Sequence, residues 1–209
     1  PNIWLGTNDK MYIARTSRDL KKIDQCIVDV NTGTVKTLIE ESLNTSIEIK
    51  KPGLINKGKE IIEWSERDGW GHFYLYDENG NVKNQITQGP WHTEDIVAID
   101  EEKRVLYFSA NGREQINNTT KEDPYYLHLY KINFDGSGLQ LLNAGNFDHS
   151  FSLNDNNTYF VNNASRVNTT PVSSLHSADG KKLMDLETAD LRNLMATGYK
   201  FPETFKIKA

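Results

Sequence analysis

The residues in this 209-residue chain best suited to chemistry are four arginines: Arg18, Arg67, Arg113 and Arg166. Each stands in a short polar segment between two strand-like runs, and three are followed directly by an acid, namely Asp19, Asp68 and Glu114. If the segments are equivalent repeats, all four arginines belong on one face. A guanidinium grips a carboxylate with two parallel hydrogen bonds. Such a face would suit docking of a second domain or capture of a substrate carboxylate. Residue type alone favours a plainer outcome, ion pairs between repeats or a solvated rim. Trp70, beside Arg67, is read as a packing anchor against the next repeat in preference to an exposed aromatic for ligands.

Other routes to catalysis are poorly supported. The five histidines, His72, His92, His128, His149 and His176, are scattered among strands and loops without metal-ligand spacing, so each is read as structural or superficial and no metal is expected. Asp135-Gly136-Ser137-Gly138 is the text nearest to a serine-hydrolase elbow, but its spacing is that of a hairpin turn with no helix behind it. Glu40-Glu41 could serve as acid and base, yet neighbours on a strand point to opposite sides, which makes the pair a solvated strand end. No glycine-rich phosphate loop precedes a helix, and no cofactor is expected. Cys26 is the single cysteine, which excludes an internal disulfide or a cysteine zinc site.

The composition, 37% hydrophobic with a net charge of −5, allows a substantial core and favours neither nucleic acid nor an anionic membrane as partner. No apolar run approaches the roughly 20 residues of a membrane-spanning helix. The first residues do not read as a signal peptide, and the text reads as starting in the middle of a pattern.

The elements that must position the arginines are short strands. The centre of the pattern is Trp64 to Asp77, where a strand ends at the charged turn Arg67-Asp68-Gly69 and a second begins, with Phe73 and Leu75 on one face and Tyr74 and Tyr76 on the other. Asn79-Gly80 is expected to supply the positive-φ residues of a hairpin into Val82 to Thr87. The plan recurs with a glycine turn in each unit, at Gly33, Gly80, Gly136 and Gly180, and a period of about 45 to 50 residues, that of a four-stranded propeller blade. A β-sandwich also has short strands and glycine turns, but its strands would not recur in fours. The fold class is therefore all-β, a propeller of four-stranded antiparallel blades. About four blades belong to this chain, in units near 1–46, 47–92, 93–146 and 147–187, and the third contains a long polar loop. Residues 188–209 read as a helix from Thr188, its N-cap, to Ala196, closed by Gly198, followed by a linker that starts another strand. The arrangement suits a slice of a larger ring cut at a domain boundary. A slice exposes inter-blade faces, to be compensated by contacts within the chain or by a second copy.

Ser65-Glu66-Arg67-Asp68-Gly69-Trp70-Gly71-His72-Phe73-Tyr74-Leu75-Tyr76 resembles the N-terminal β-propeller of dipeptidyl peptidase IV-like enzymes, Bacteroides-type members above all, in the prolyl oligopeptidase family of serine peptidases. The resemblance extends to Arg15–Asp19, Ile86–Trp91, Leu127–Gly136, Tyr159–Val161, Ser165–Val167, Met184–Glu187 and Phe201–Glu203, which is nearly the whole chain. It implies the C-terminal half of an eight-bladed propeller, followed by an α/β-hydrolase domain with the Ser-Asp-His triad. This chain would then hold no catalytic residue, and its propeller would restrict access to the triad and help select short peptides with Pro or Ala second. The family's glutamate pair for the substrate amino terminus lies upstream, so Glu40-Glu41 does not inherit that role. Trp70 keeps an aromatic that family members can place near the substrate, while Gly71 stands where they carry an arginine. Implied partners are the hydrolase domain of the same parent, peptide substrates and a second copy in a homodimer, with no nucleic acid and no membrane span. The parent would be periplasmic or secreted. The rival is a stand-alone module that binds protein or glycan through its arginine face. A propeller glycosidase with paired carboxylates ranks last.

Overall fold

The computed structural model describes residues 2–117, 120–203, 205, 207 and 208. Those residues are all-β apart from one short α-helix and a 3-10 turn at Asn56–Gly58. The first sheet holds β1 (Asn2–Trp4), β2 (Lys10–Thr16), β3 (Lys22–Asp29) and β4 (Thr34–Ser42). The second holds β5 (Gly53–Ile55), β6 (Glu60–Ser65), β7 (His72–Asp77) and β8 (Val82–Gln85). In the third, β9 (His92–Asp100) and β10 (Val105–Asn111) are followed by a two-stranded ribbon, β11 (Gln115–Asn117) and β12 (Thr120–Lys121), before β13 (His128–Asn133) and β14 (Gln140–Leu141) complete the sheet. The fourth holds β15 (Asp148–Leu153), β16 (Tyr159–Ser165), β17 (Val172–Ser177) and β18 (Lys182–Thr188), and α1 (Arg192–Ala196) follows. Each four-stranded sheet pairs its strands in chain order, which is the meander of a propeller blade.

The chain forms two compact units, Pro1–Ser109 with Lys131–Leu139 and Ala110–Tyr130 with Gln140–Ala209. The third sheet contributes strands to both. In the first unit, Leu5, Tyr12, Ile39, Ile61, Tyr74 and Tyr76 form one buried cluster. Phe73 meets Phe108 edge-on at 5.7 Å, and Trp91 stacks on Phe108 at 6.3 Å. Residues 72–76 of β7 are all buried although successive side chains point to opposite faces, so this sheet is covered on both sides. In the second unit Leu129, Tyr130, Leu142 and Phe160 are buried. Its last strand, β18, is exposed along its whole length.

The hairpin turns between third and fourth strands explain how consecutive sheets stack. At Asp77–Asn81 the Gly80 N–H donates to the Asp77 carbonyl at 3.1 Å, and the Asp77 N–H donates to the Asn81 carbonyl at 2.9 Å. Of this turn's residues Gly80 alone has positive φ, at 85°, so Asn79 does not share the left-handed conformation expected of the pair. The turn is a regular four-residue one closed by a left-handed glycine, which hands the chain into β8 with a bulge. A methyl group at Gly80 would lie 2.0 Å from the Leu38 carbonyl oxygen of β4. At Gly136 it would lie 3.2 Å from the Ile86 oxygen, and at Gly180 3.1 Å from the Leu142 oxygen. Each glycine tip therefore rests on backbone of the preceding sheet's last strand or of the residue just after it. Gly33, the equivalent in the first sheet, has φ of 71° and nothing within 4 Å of that position.

Three local expectations fail. The polar loop after β10 contains the β11–β12 ribbon, because the run is long enough to fold back and pair with itself. Thr188 is the last residue of β18, where it pairs with Val172, and cannot cap the helix. The helix begins four residues later, and the Asp190 carboxylate instead takes the Arg192 N–H at 3.0 Å. The return strand of the second hairpin stops at Gln85, because the side chain of Thr87 serves another purpose described below.

Gly80→Ala is expected to destabilise the chain by on the order of 3 kcal/mol or more, adding a backbone collision to the roughly 1–2 kcal/mol strain of a left-handed alanine. Gly33→Ala should show only the strain. Urea midpoints at constant m-value measure both, and equal losses would refute the docking role of the Gly80 tip.

Candidate functional site

The four turn arginines do not share one environment. Arg18 is exposed in the turn after β2, where the neighbouring Asp19 carboxylate accepts the Ser17 hydroxyl at 2.6 Å. Arg67 is built into the seam between the first and second sheets. Its Nε donates to Ser65 Oγ at 3.0 Å, its Nη2 donates to the Tyr76 hydroxyl, and its guanidinium lies 4.5 Å from the Tyr74 ring centre. Its nearest acid is Glu41 of β4, at 3.9 Å, and not the adjacent Asp68, which accepts from the Gln85 amide at 2.7 Å. Arg113 pairs with the adjacent Glu114 at 2.6 Å and lies over Tyr130, whose hydroxyl donates to the same carboxylate at 2.9 Å. Arg166 lies 5.3 Å over the Phe147 ring. Arg67 and Arg113 are thus structural ion pairs with aromatic stacking, worth about 0.5–2 kcal/mol each by type.

Trp70 is not a packing anchor. It is 45% exposed, because the turn lifts it clear of the sheet, while Trp64 and Trp91 fill the interior. Gly71 beside it is tightly enclosed: a methyl group there would lie 2.4 Å from the Trp64 ring and 2.6 Å from His92. Any larger residue at this position would need this contact to open.

Behind Arg67 the seam is polar and buried. Glu41 accepts the Ser65 hydroxyl, which accounts for the inward member of Glu40-Glu41, and Glu40 is exposed. Tyr12 donates its hydroxyl to Glu63, and Gln25, Glu41 and Glu63 face a cavity of about 10 Å³, room for a single water. Burial pushes the Glu63 carboxyl up to about 8. Burial and the Glu63 charge hold the Tyr12 phenol well above its ordinary value.

The histidines reveal a second polar seam that residue spacing did not disclose. In the first unit, His72 places Nε2 2.9 Å from the Gly89 carbonyl and Nδ1 3.1 Å from Thr87 Oγ1. A carbonyl can only accept, so Nε2 carries the proton and Nδ1 receives the threonine hydroxyl. The same Oγ1 accepts the Phe73 N–H at 3.0 Å, and the Thr93 N–H and hydroxyl both donate to the Gly71 carbonyl at 2.9 Å. The second unit repeats this with different side chains. Asn143 Oδ1 accepts the Leu129 N–H at 2.8 Å, and His149 N–H donates to the Leu127 carbonyl at 3.1 Å. His128 joins the network with Nε2 2.8 Å from Glu122, and its ring centre lies 4.9 Å from that of His149. Burial, then the neighbouring His128, lowers His149 to about 4. The text behind this seam is Thr87-Gln88-Gly89-Pro90-Trp91 and Asn143-Ala144-Gly145-Asn146-Phe147, a repeat that comparison of the two segments would have found.

Ser174 Oγ lies 2.9 Å from His176 Nε2, which has the outline of a nucleophile and its base. His176 Nδ1 is buried without a partner among the described residues, so no acid orients the ring as a triad requires. Among the described residues no group of three or more His, Cys, Asp or Glu side chains is arranged to hold a metal, and no helix is long and apolar enough to cross a membrane.

Glu63 and His149 act on stability with opposite signs. Glu63 has a raised folded pKa, so its contribution is complete below its ordinary value of 4.5 and is lost as pH rises through about 8. His149 has a depressed one, so its contribution is complete above 6.5 and is lost as pH falls toward 4. Glu63→Gln is expected to remove the alkaline loss, raising stability at pH 9 by on the order of a few kcal/mol, and His149→Gln to flatten the acid limb. Urea midpoints from pH 4 to 9 test this, and an unchanged alkaline slope in Glu63→Gln would refute the assignment.

Comparison with known proteins agrees with this architecture. The family described as "Dipeptidyl peptidase IV (DPP IV) N-terminal region" matches residues 1–171. Dipeptidyl peptidase 4 of Arthroderma otae is 25% identical over 98% of this chain and 27% of its own length. Dipeptidyl peptidase 4 of Trichophyton rubrum is 27% identical over 75% of this chain and 20% of its own. The crystal structure of Porphyromonas gingivalis dipeptidyl peptidase 4 superposes with a TM-score of 0.69 at 20% identity, covering 90% of this chain and 26% of that one, which shows the fold. The chain spans about a quarter of the length of these relatives. With blade-like sheets throughout and a family match over most of its residues, the chain belongs to the dipeptidyl peptidase IV N-terminal region family.

Proposed function

We propose that this chain is the non-catalytic propeller portion of a dipeptidyl peptidase IV-like serine peptidase of the prolyl oligopeptidase family. The observation that carries the reading is the family match over residues 1–171, which falls on the first three blade-like sheets and the first two strands of the fourth. The side chains support it, since among the described residues no acid orients Ser174-His176, and Arg67 and Arg113 are engaged in structural pairs. In this reading residues 1–187 form part of the propeller, and residues 188–209 lead toward an α/β-hydrolase domain that supplies the nucleophilic serine. The propeller limits access to that serine, so that only short peptides with Pro or Ala in second place are cut. The parent acts in the periplasm or outside the cell, as a monomer or homodimer. Arg18 and Trp70, both exposed at turns between second and third strands, are the side chains available to meet the second domain or the substrate.

Hydrolysis of an Xaa-Pro anilide by this chain and by the complete gene product, at equal concentration, tests the proposal. Activity is expected in the complete product alone, abolished by a serine-directed inhibitor. Cleavage by neither would overturn the peptidase reading and favour a binding module. Cleavage by this chain alone would overturn its non-catalytic role.

A further inference from the structure

Arg166 is the exception among the stacked arginines. Arg67 has Glu41 at 3.9 Å and Arg113 has Glu114 at 2.6 Å, but the Arg166 guanidinium forms no ion pair among the described residues. Its Nε is buried without a hydrogen-bond partner, although an arginine N–H removed from water normally finds one. The Phe147 ring covers the group from one side, 5.3 Å from its central carbon. The loop that carries it is closed locally, with the Arg166 N–H donating to Thr169 Oγ1 at 2.8 Å. The guanidinium therefore lacks, among the described residues, the carboxylate that Arg67 and Arg113 possess.

Beside it opens a cavity of about 750 Å³, within the size range of small-molecule sites and wholly inside the second unit. Arg166 lines it together with Asn146, Asn168, Tyr126, Asp123 and Glu203. Another acid at the wall, Glu122, is already committed to His128 at 2.8 Å. What remains is a fixed cation at Arg166, a second cation at Lys121, two carboxylates, two amides and an aromatic surface. We propose that this cavity binds a short peptide as a zwitterion, with its terminal carboxylate against the Arg166 guanidinium and its ammonium toward Asp123 and Glu203. The amides of Asn146 and Asn168 are suited to the peptide backbone, and Tyr126 to a side chain. The inference rests on this geometry and does not require the peptidase reading.

Calorimetric titration of the chain with L-alanyl-L-alanine, its C-terminal amide and its N-acetyl form tests the site. The free dipeptide should bind saturably and the amide at least about tenfold more weakly, the scale of one charge-assisted hydrogen bond. Arg166→Gln should bring the free dipeptide down to the affinity of the amide and leave the amide nearly unaffected. Asp123→Asn should weaken the free dipeptide while leaving the N-acetyl form unchanged. Absence of saturable dipeptide binding, or equal affinity for acid and amide, would overturn the proposal. The ligand comparison on the unaltered chain decides the matter even if a variant fails to fold. Failure of anilide hydrolysis by the complete gene product would leave this result untouched.

Discussion

The carbonyl oxygens of Leu38, Ile86 and Leu142 are the points on which consecutive sheets bear, because the hairpin glycine of the following sheet reaches each of them with no side chain in between. A sheet covered on both faces must approach its neighbour closely along its whole width, and the outermost hairpin is where backbone meets backbone. Positive φ and lack of a Cβ are both required there, and glycine alone satisfies both without cost in sterics. The aromatic and aliphatic layers between sheets, such as Phe73 against Phe108, can reach native density only once this spacing is set.

At the loop ends the same stacking problem is solved with polar atoms. Loop carbonyls and strand-end N–H groups become buried there and need partners. Thr87 and Asn143 supply equivalent side-chain acceptors, and Thr93 and His149 equivalent backbone donors, so chemically different residues complete one bonding scheme. Each bond adds about 1 kcal/mol net, but leaving such a group unpaired costs more, which makes the seam a determinant of register as much as of stability. Enclosure of this kind also lowers His72 and His149 and, in the seam behind Arg67, raises Glu63.

Much of the architecture could be read from the text. Alternation in Phe73–Tyr76 and the four turn glycines are local signals, and they defined the strands and their grouping in fours. The arginines were found by the same regularity. Their partners were not, because Glu41 reaches Arg67 from the neighbouring sheet while the adjacent Asp68 turns away to Gln85. Adjacency along a strand says little about which acid a long side chain meets. Trp70 departs from expectation for a related reason, since a turn can lift an aromatic out of the interior that its size would otherwise favour. The ribbon after β10 and the late start of α1 were hidden because polar text pairs as readily with itself as with water, and Thr188 satisfies a strand as well as a cap.

The ribbon has a consequence for how the chain acquires its structure. In the first, second and fourth sheets the inner two strands are joined by short segments, 17–21, 66–71 and 166–171, so pairing closes a small loop. In the third, residues 112–127 separate β10 from β13. Loop-closure entropy makes that pairing costlier by on the order of 1 kcal/mol, less whatever the ribbon recovers by shortening the effective loop. Contact order then predicts that, of the four inner-strand pairings, that of β13 with β10 is the slowest to form.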